Sequence, residues 1–159
     1  MILKLRDDCR LWINDHDQIA NKFVEDFSKR LKSSHTGQRT LTHLGLPRLI
    51  TDLENRELIR LPTLEEVKIA LFSIDSNKTP GPDGFGAGFF KTYWNIIKKD
   101  LFNCITEFFT NGKLLKELNE TFITLIPEKQ NPVQTNQFRP INLCSTLYKI
   151  IAKILINRL

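Results

Sequence analysis

The chain has 159 residues, 41% hydrophobic and 26% charged, which suits a soluble globular domain with a usable core and excludes collagen-like, mucin-like and wholly disordered classes. No apolar run approaches the ~20 residues that cross a bilayer. The opening carries Asp7 and Asp8 instead of a signal-peptide core, so no export, no membrane and an intracellular location, cytoplasm or nucleus, are expected. Cys9, Cys104 and Cys144 are odd in number and widely spaced, which fits a reducing compartment and neither a disulfide framework nor a zinc site. Residues 1–75 hold 12 basic and 12 acidic side chains, whereas residues 76–159 hold 11 and 6, so the net charge of +5 falls in the second part. An anionic partner is expected there, and no Asp or Glu follows Glu128.

Residues to about 13 show no clean period and read as irregular or as a short strand pair. From Asp15, Ile19, Phe23, Phe27 and Leu31 recur every fourth residue, Ala20 and Val24 widen the stripe, and Asp15 with Gln18 caps the start; a helix to about Ser33 follows. Residues 34–60, with Gly37, Gly45 and Pro47, read as a long connection with one short helical piece near Leu49–Glu54. Thr63 and Glu66 have capping-box spacing ahead of a helix whose buried stripe is Leu64, Val67, Ala70, Leu71 and Ile74. Residues 75–88 gather Gly81, Gly84, Gly86 and Gly88 with Pro80 and Pro82, through which no helix or strand runs.

A third helix is predicted over Phe89–Asn111, with Phe90, Trp94, Ile97, Leu101, Ile105 and Phe108 inward and Gly112 as a left-handed cap, followed by one or two turns to Asn119. The β-branched and aromatic run Thr121–Ile126 and the run Phe138–Leu143, with Arg139, Ile141 and Leu143 on one face, predict an antiparallel pair. Ser145 caps a last helix carrying Leu147, Ile150, Ile151, Ile154 and Leu155, which shows no stop signal at Leu159 and so suggests a truncated domain. The predicted class is α+β, helices packed beside an antiparallel β-hairpin.

The sharpest local feature is the run from Asn77 to Phe85. Prolines fix φ on both sides of Gly81, Asp83-Gly84 makes a turn, and Lys78 with free N–H groups offers an anion contact that suits a nucleic-acid backbone. Taken alone, the run also reads as a plain turn between helices, and no Walker loop is present. Lys129 and Arg139 near facing strand ends can hold a triphosphate or a phosphodiester, although surface charges on a hairpin are commonly just solvated. His16, His35 and His43 have no metal-ligand spacing, and Cys104 and Cys144 read as core thiols. Phe89, Phe90, Tyr93 and Trp94 suit base stacking, but their helical spacing favours core packing for most of them, and Lys91, Lys98 and Lys99 are either a phosphate patch or a wet helix face.

Three runs, TLEEVKIALFSIDSNKTPGPDGFGAGFFKTYWNIIKKDL, TFITLIPEKQNP and FRPINLCSTLYKIIAKILINRL, resemble in order and spacing the start of the reverse transcriptase (RNA-directed DNA polymerase) of plant LINE-type, non-long-terminal-repeat retrotransposons. The resemblance covers about residues 63–159. It implies an incomplete fingers and palm of a right-hand polymerase, with 1–60 a helical connector upstream, 61–143 the fingers portion and 144–159 the start of a fingers-to-palm helix. It further implies template contact by Lys78, Pro80, Gly81, Pro82, Asp83 and Gly84, and nucleotide contact by Lys129 and Arg139. Where the family places Lys directly after Ile-Pro, this chain has Glu128, with Lys129 one position later; in a strand that shift points to the other face. The implied partners are RNA or an RNA/DNA hybrid and, in a complete enzyme, a deoxynucleoside triphosphate.

The family's Mg²⁺-binding aspartates follow the stretch corresponding to Leu159, so neither catalytic nor metal-binding residues are expected here and Mg²⁺ is expected only in a full-length member. The chain is thus expected to be an inactive N-terminal fragment that contacts template and nucleotide. The alternatives are a non-catalytic nucleic-acid-binding module or a helical interaction domain without nucleic acid.

Overall fold

The computed structural model describes Ile2, residues 4–7, 9–32 and 49–159. The expected helix end near Ser33, most of the connection 34–60, and His35 and His43 lie outside the described residues. The fold is α+β, with helices and two small two-stranded sheets, and it divides into two units. One comprises residues 1–47 and 124–141, the other 48–123 and 142–159. They interleave along the chain and cut across the segments 1–60, 61–143 and 144–159.

In the first unit, β1 (Leu5–Arg6) and β2 (Trp12–Ile13) pair antiparallel, Leu5 opposite Ile13 and Arg6 opposite Trp12. The tight connection places Arg10 at φ +64° and is fastened by Asp7, whose carboxylate accepts from the Leu11 N–H at 2.7 Å. α1 (His16–Leu31) begins where Asp15 accepts from the Gln18 N–H, the cap read from sequence. Its buried face is narrower than the sequence stripe: Ile19, Phe23 and Phe27 point inward, whereas Ala20, Val24 and Leu31 are exposed. The small core needs only this one row, because Leu5 and Phe138 complete it, with the Phe138 ring edge-on to Phe23 at 5.2 Å.

In the second unit, α2 (Asp52–Ile59) starts later and runs longer than the piece expected near 49–54. The cause is a capping box between Thr51 and Glu54, which satisfies the first-turn N–H groups and sets the start. α3 (Leu64–Ser73) opens on the predicted box of Thr63 and Glu66 and buries Val67, Ala70 and Leu71, while Leu64 is exposed. The single helix expected over 89–111 is two. α4 (Ala87–Thr92) and α5 (Trp94–Asn111) meet at Tyr93, where the Thr92 hydroxyl donates back to the Gly88 carbonyl, a bond that bends helices.

Gly112, at φ +65°, ends α5 in the left-handed conformation anticipated. α6 (Lys116–Asn119) leads into β3 (Thr121–Pro127), which pairs with β4 (Phe138–Cys144). Thr121 meets Cys144 at one end and the Glu128 N–H bonds the Gln137 carbonyl at the other, the register of an antiparallel hairpin. α7 (Thr146–Arg158), capped by Ser145, buries Leu147, Ile150, Ile151 and Ile154 against α3 and α5, while Leu155 stays exposed. No helix among the described residues is long and apolar enough to cross a membrane.

Candidate nucleic-acid interface

The Gly/Pro loop belongs to the second unit, and its seat is the β4–α7 junction. Gly81 is buried, and a Cβ there would stand 2.5 Å from the Ser145 nitrogen and 2.7 Å from the Cys144 carbonyl carbon. Only a residue without a side chain allows that approach. Three bonds from α7 or its cap hold the surroundings: Lys149 Nζ donates to the Thr79 carbonyl at 2.6 Å, Thr146 Oγ1 to the Phe85 carbonyl at 2.8 Å, and Ser145 Oγ to the Leu118 carbonyl at 2.9 Å. At the front of the loop, Lys91 Nζ donates to the Ile74 carbonyl and to Ser76, so this lysine is a stitch within the fold and not part of a phosphate patch.

The six loop residues singled out from sequence therefore differ in placement. Gly81 faces the junction, Pro80 and Pro82 are half-buried, and Lys78, Asp83 and Gly84 face solvent. Asp83 accepts from the Phe85 N–H at 3.1 Å and Gly84 takes φ +74°, so this stretch is a turn with its local polar groups satisfied. Beside it an aromatic row emerges. Phe85, Phe89 and Tyr93 are 47%, 39% and 46% exposed, with successive ring centroids 4.6 and 5.0 Å apart. Of the four aromatics expected mostly in the core, only Phe90 and Trp94 turn inward, because α4 spends its inward positions on Ala87 and Phe90.

Lys129 and Arg139 belong to the first unit. Lys129 lies just beyond β3 and is exposed, so the alternation of strand faces does not govern it. Arg139 is also exposed, and its Nε donates to Glu128 Oε1 at 3.0 Å. Glu128 thus occupies the guanidinium for which the sequence resemblance implies nucleotide contact. An exposed pair of this kind is worth about 0–1 kcal/mol, and a phosphate can displace it. Phe138, not Arg139, starts the buried face of β4.

At the other end of α7 from the loop stands a polar anchor that sequence reading missed. Arg158 is largely buried and donates from Nε to Glu66 Oε1 at 3.0 Å and from Nη1 to the Leu58 and Arg60 carbonyls at 3.1 and 2.6 Å. Partial burial pushes the Glu66 carboxyl up, but hydrogen bonds from Arg158, the Thr63 N–H and Arg60 together outweigh it and hold its pKa at about 2. The capping-box motif was the one available signal, and it names Glu66 without its long-range partners. Burial, then the nearby Glu107, raises the Cys104 thiol, which leaves it a poor nucleophile. All three cysteines are free, and Cys144 accepts from the Thr121 hydroxyl. No group of three His, Cys, Asp or Glu among the described residues is placed to hold a metal.

No family model matches the chain. Over 116 residues it is 34% identical to the Transposon TX1 uncharacterized 149 kDa protein of Xenopus laevis. The sequence is similar to a transposon protein. The match covers 72% of this chain and 9% of that protein, so the chain spans less than a tenth of its relative's length.

Proposed function

We propose that this chain is the fingers portion of a LINE-type retrotransposon reverse transcriptase, of the kind the plant-element resemblance implies. Its Gly/Pro loop contacts template RNA or an RNA/DNA hybrid, and its hairpin cations contact the incoming nucleotide. The observation that carries this reading is the seating of Gly81 on Cys144 and Ser145. Most of two of the three resembling runs, far apart in sequence, packs into one unit, as parts of a common polymerase subdomain would. Similarity to a transposon protein supports the same reading.

The loop presents Lys78 and the turn at Asp83-Gly84 outward from a backbone anchored on α7, a rigid platform for a phosphodiester. In-line phosphoryl transfer needs metal-bound oxygens, and this reading assigns no metal ligand to these residues. The chain by itself is therefore expected to give no primer extension on an RNA template with Mg²⁺, and extension above a no-enzyme control would oppose that assignment. Binding is measured by fluorescence anisotropy with labelled RNA at two salt concentrations. Affinity should fall steeply with salt, Lys78→Ala and Arg139→Ala should weaken it severalfold, and Glu128→Lys should strengthen it by freeing Arg139 and adding a cation. Salt-insensitive binding, or indifference to all three variants, would leave the helical interaction domain as the better account.

A further inference from the structure

The first unit holds a small polar cavity of about 160 Å³, lined by none of the residues assigned above. β1, α1 and the short 3₁₀ turn Thr135–Gln137 line it, with Arg6, Lys22, Arg30, Gln134 and Asn136 bringing donors and Asp7 and Asp26 the carboxylates. The carboxylates are already engaged. Asp7 accepts from the Leu11 N–H, and Asp26 pairs with Lys22 at 3.1 Å and accepts from the Thr135 hydroxyl at 2.5 Å. The two arginines are not so neutralised, since neither has a carboxylate within ion-pair distance among the described residues.

Both guanidinium groups are instead held over aromatic rings, Arg6 over Trp12 at 4.4 Å and Arg30 over Phe27 at 5.2 Å. Such stacking restricts a flexible side chain and leaves its N–H donors free for a planar, two-pronged contact. The frame is firm as well. The Arg6 N–H donates to the Val133 carbonyl at 2.6 Å, and Thr135 is buried with its hydroxyl on Asp26. Donor side chains around a small hollow, with two stacked and unpaired arginines, suit a tetrahedral oxyanion.

We propose that Arg6 and Arg30, with the side-chain amides of Gln134 and Asn136, form a phosphate-binding site in the first unit, separate from the loop and hairpin contacts of the proposed function. The phosphate group is either a backbone phosphodiester of single-stranded nucleic acid or a free phosphate. The test uses the full chain, its Arg6→Gln and Arg30→Gln variants and the double variant, with circular dichroism confirming that each is folded. In one arm, a labelled RNA decamer is titrated over a salt series. In the other, inorganic phosphate is titrated by calorimetry.

If the site takes backbone phosphate, each single variant weakens RNA binding about three- to tenfold, the double variant lowers the slope of log affinity against log salt by about one to two, and Arg30→Lys restores part of the loss. If it takes free phosphate, the parent binds inorganic phosphate and the double variant does not. Folded variants that match the parent in both arms, or a parent that binds neither ligand, would overturn the proposal. Loss on changing Arg6 and Arg30 with indifference to Lys78→Ala, Arg139→Ala and Glu128→Lys would instead remove the proposed function and leave this site standing.

Discussion

The two units solve the problem of presenting cations in opposite ways. In the second, the loop is fastened from behind: a buried glycine, two half-buried prolines and side-chain bonds from α7 leave Lys78 at the crest of an immobilised turn. In the first, the cations sit on an exposed hairpin end and around a shallow hollow, above a core of only Leu5, Ile19, Phe23, Phe27 and Phe138 among the described residues. Tight backbone packing gives shape at the cost of tolerance to substitution. Side-chain stacking gives charge at low structural cost.

Substitutions sharpen this contrast. Gly81→Ala should be the most damaging change, because backbone atoms that cannot rotate away stand 2.5–2.7 Å from the new methyl group, well inside van der Waals contact. A loss of about 3 kcal/mol or more is expected from urea unfolding, and a loss under about 1 kcal/mol would mean that the loop is not seated as described.

Glu66→Gln comes next. It breaks the ionic contacts to Arg158 and Arg60 while keeping much of the shape, and should cost about 2–3 kcal/mol near neutral pH. The sign of its pH dependence follows from the depressed pKa. The contribution is fully present above the ordinary carboxylate value of 4.5 and is lost as pH falls toward about 2, so parent and variant should converge over that range. A stability gap unchanged down to pH 2 would contradict the role given to the Glu66 charge.

Smaller effects are expected in the first unit. Thr135→Val removes one hydroxyl bond to Asp26 and should cost about 1–2 kcal/mol, visible as a lower melting temperature. Glu128→Gln, on the exposed hairpin end, should alter stability by no more than about 0.5 kcal/mol, measurable by the same melting experiment. If Glu128→Gln destabilised the chain as much as Glu66→Gln, the distinction between an anchored and a solvated cation would fail.

Element positions were largely legible in sequence, because caps and periodicity act within a few residues. Asp15, Thr63, Gly112 and Ser145 each end or begin an element as their chemistry requires. The α2 start was equally local, written in Thr51 and Glu54, but the short helical piece read there was placed a few residues early. The split at Tyr93 was less accessible, since a threonine hydroxyl turning back on Gly88 competes with an otherwise unbroken helical pattern. Phe89 and Tyr93 misled for the same reason: period identifies a face but not whether anything covers it.

Charge shows most plainly where linear reading ends. By sequence halves the surplus lies wholly in the second part, yet regrouped by unit the first holds 10 basic and 7 acidic side chains and the second 13 and 11. Composition, helix caps, the β-prone runs of the hairpin and the α+β class were determined by the sequence itself, through patterns spanning a few positions. Tertiary structure alone decided that Gly81 meets Ser145, that Arg158 closes on Glu66, and that Arg6 and Arg30 share a hollow with Gln134 and Asn136. These partners are separated by tens of residues or more, and such distances carry no periodic signature. Only the packing of a buried core fixes which of them meet.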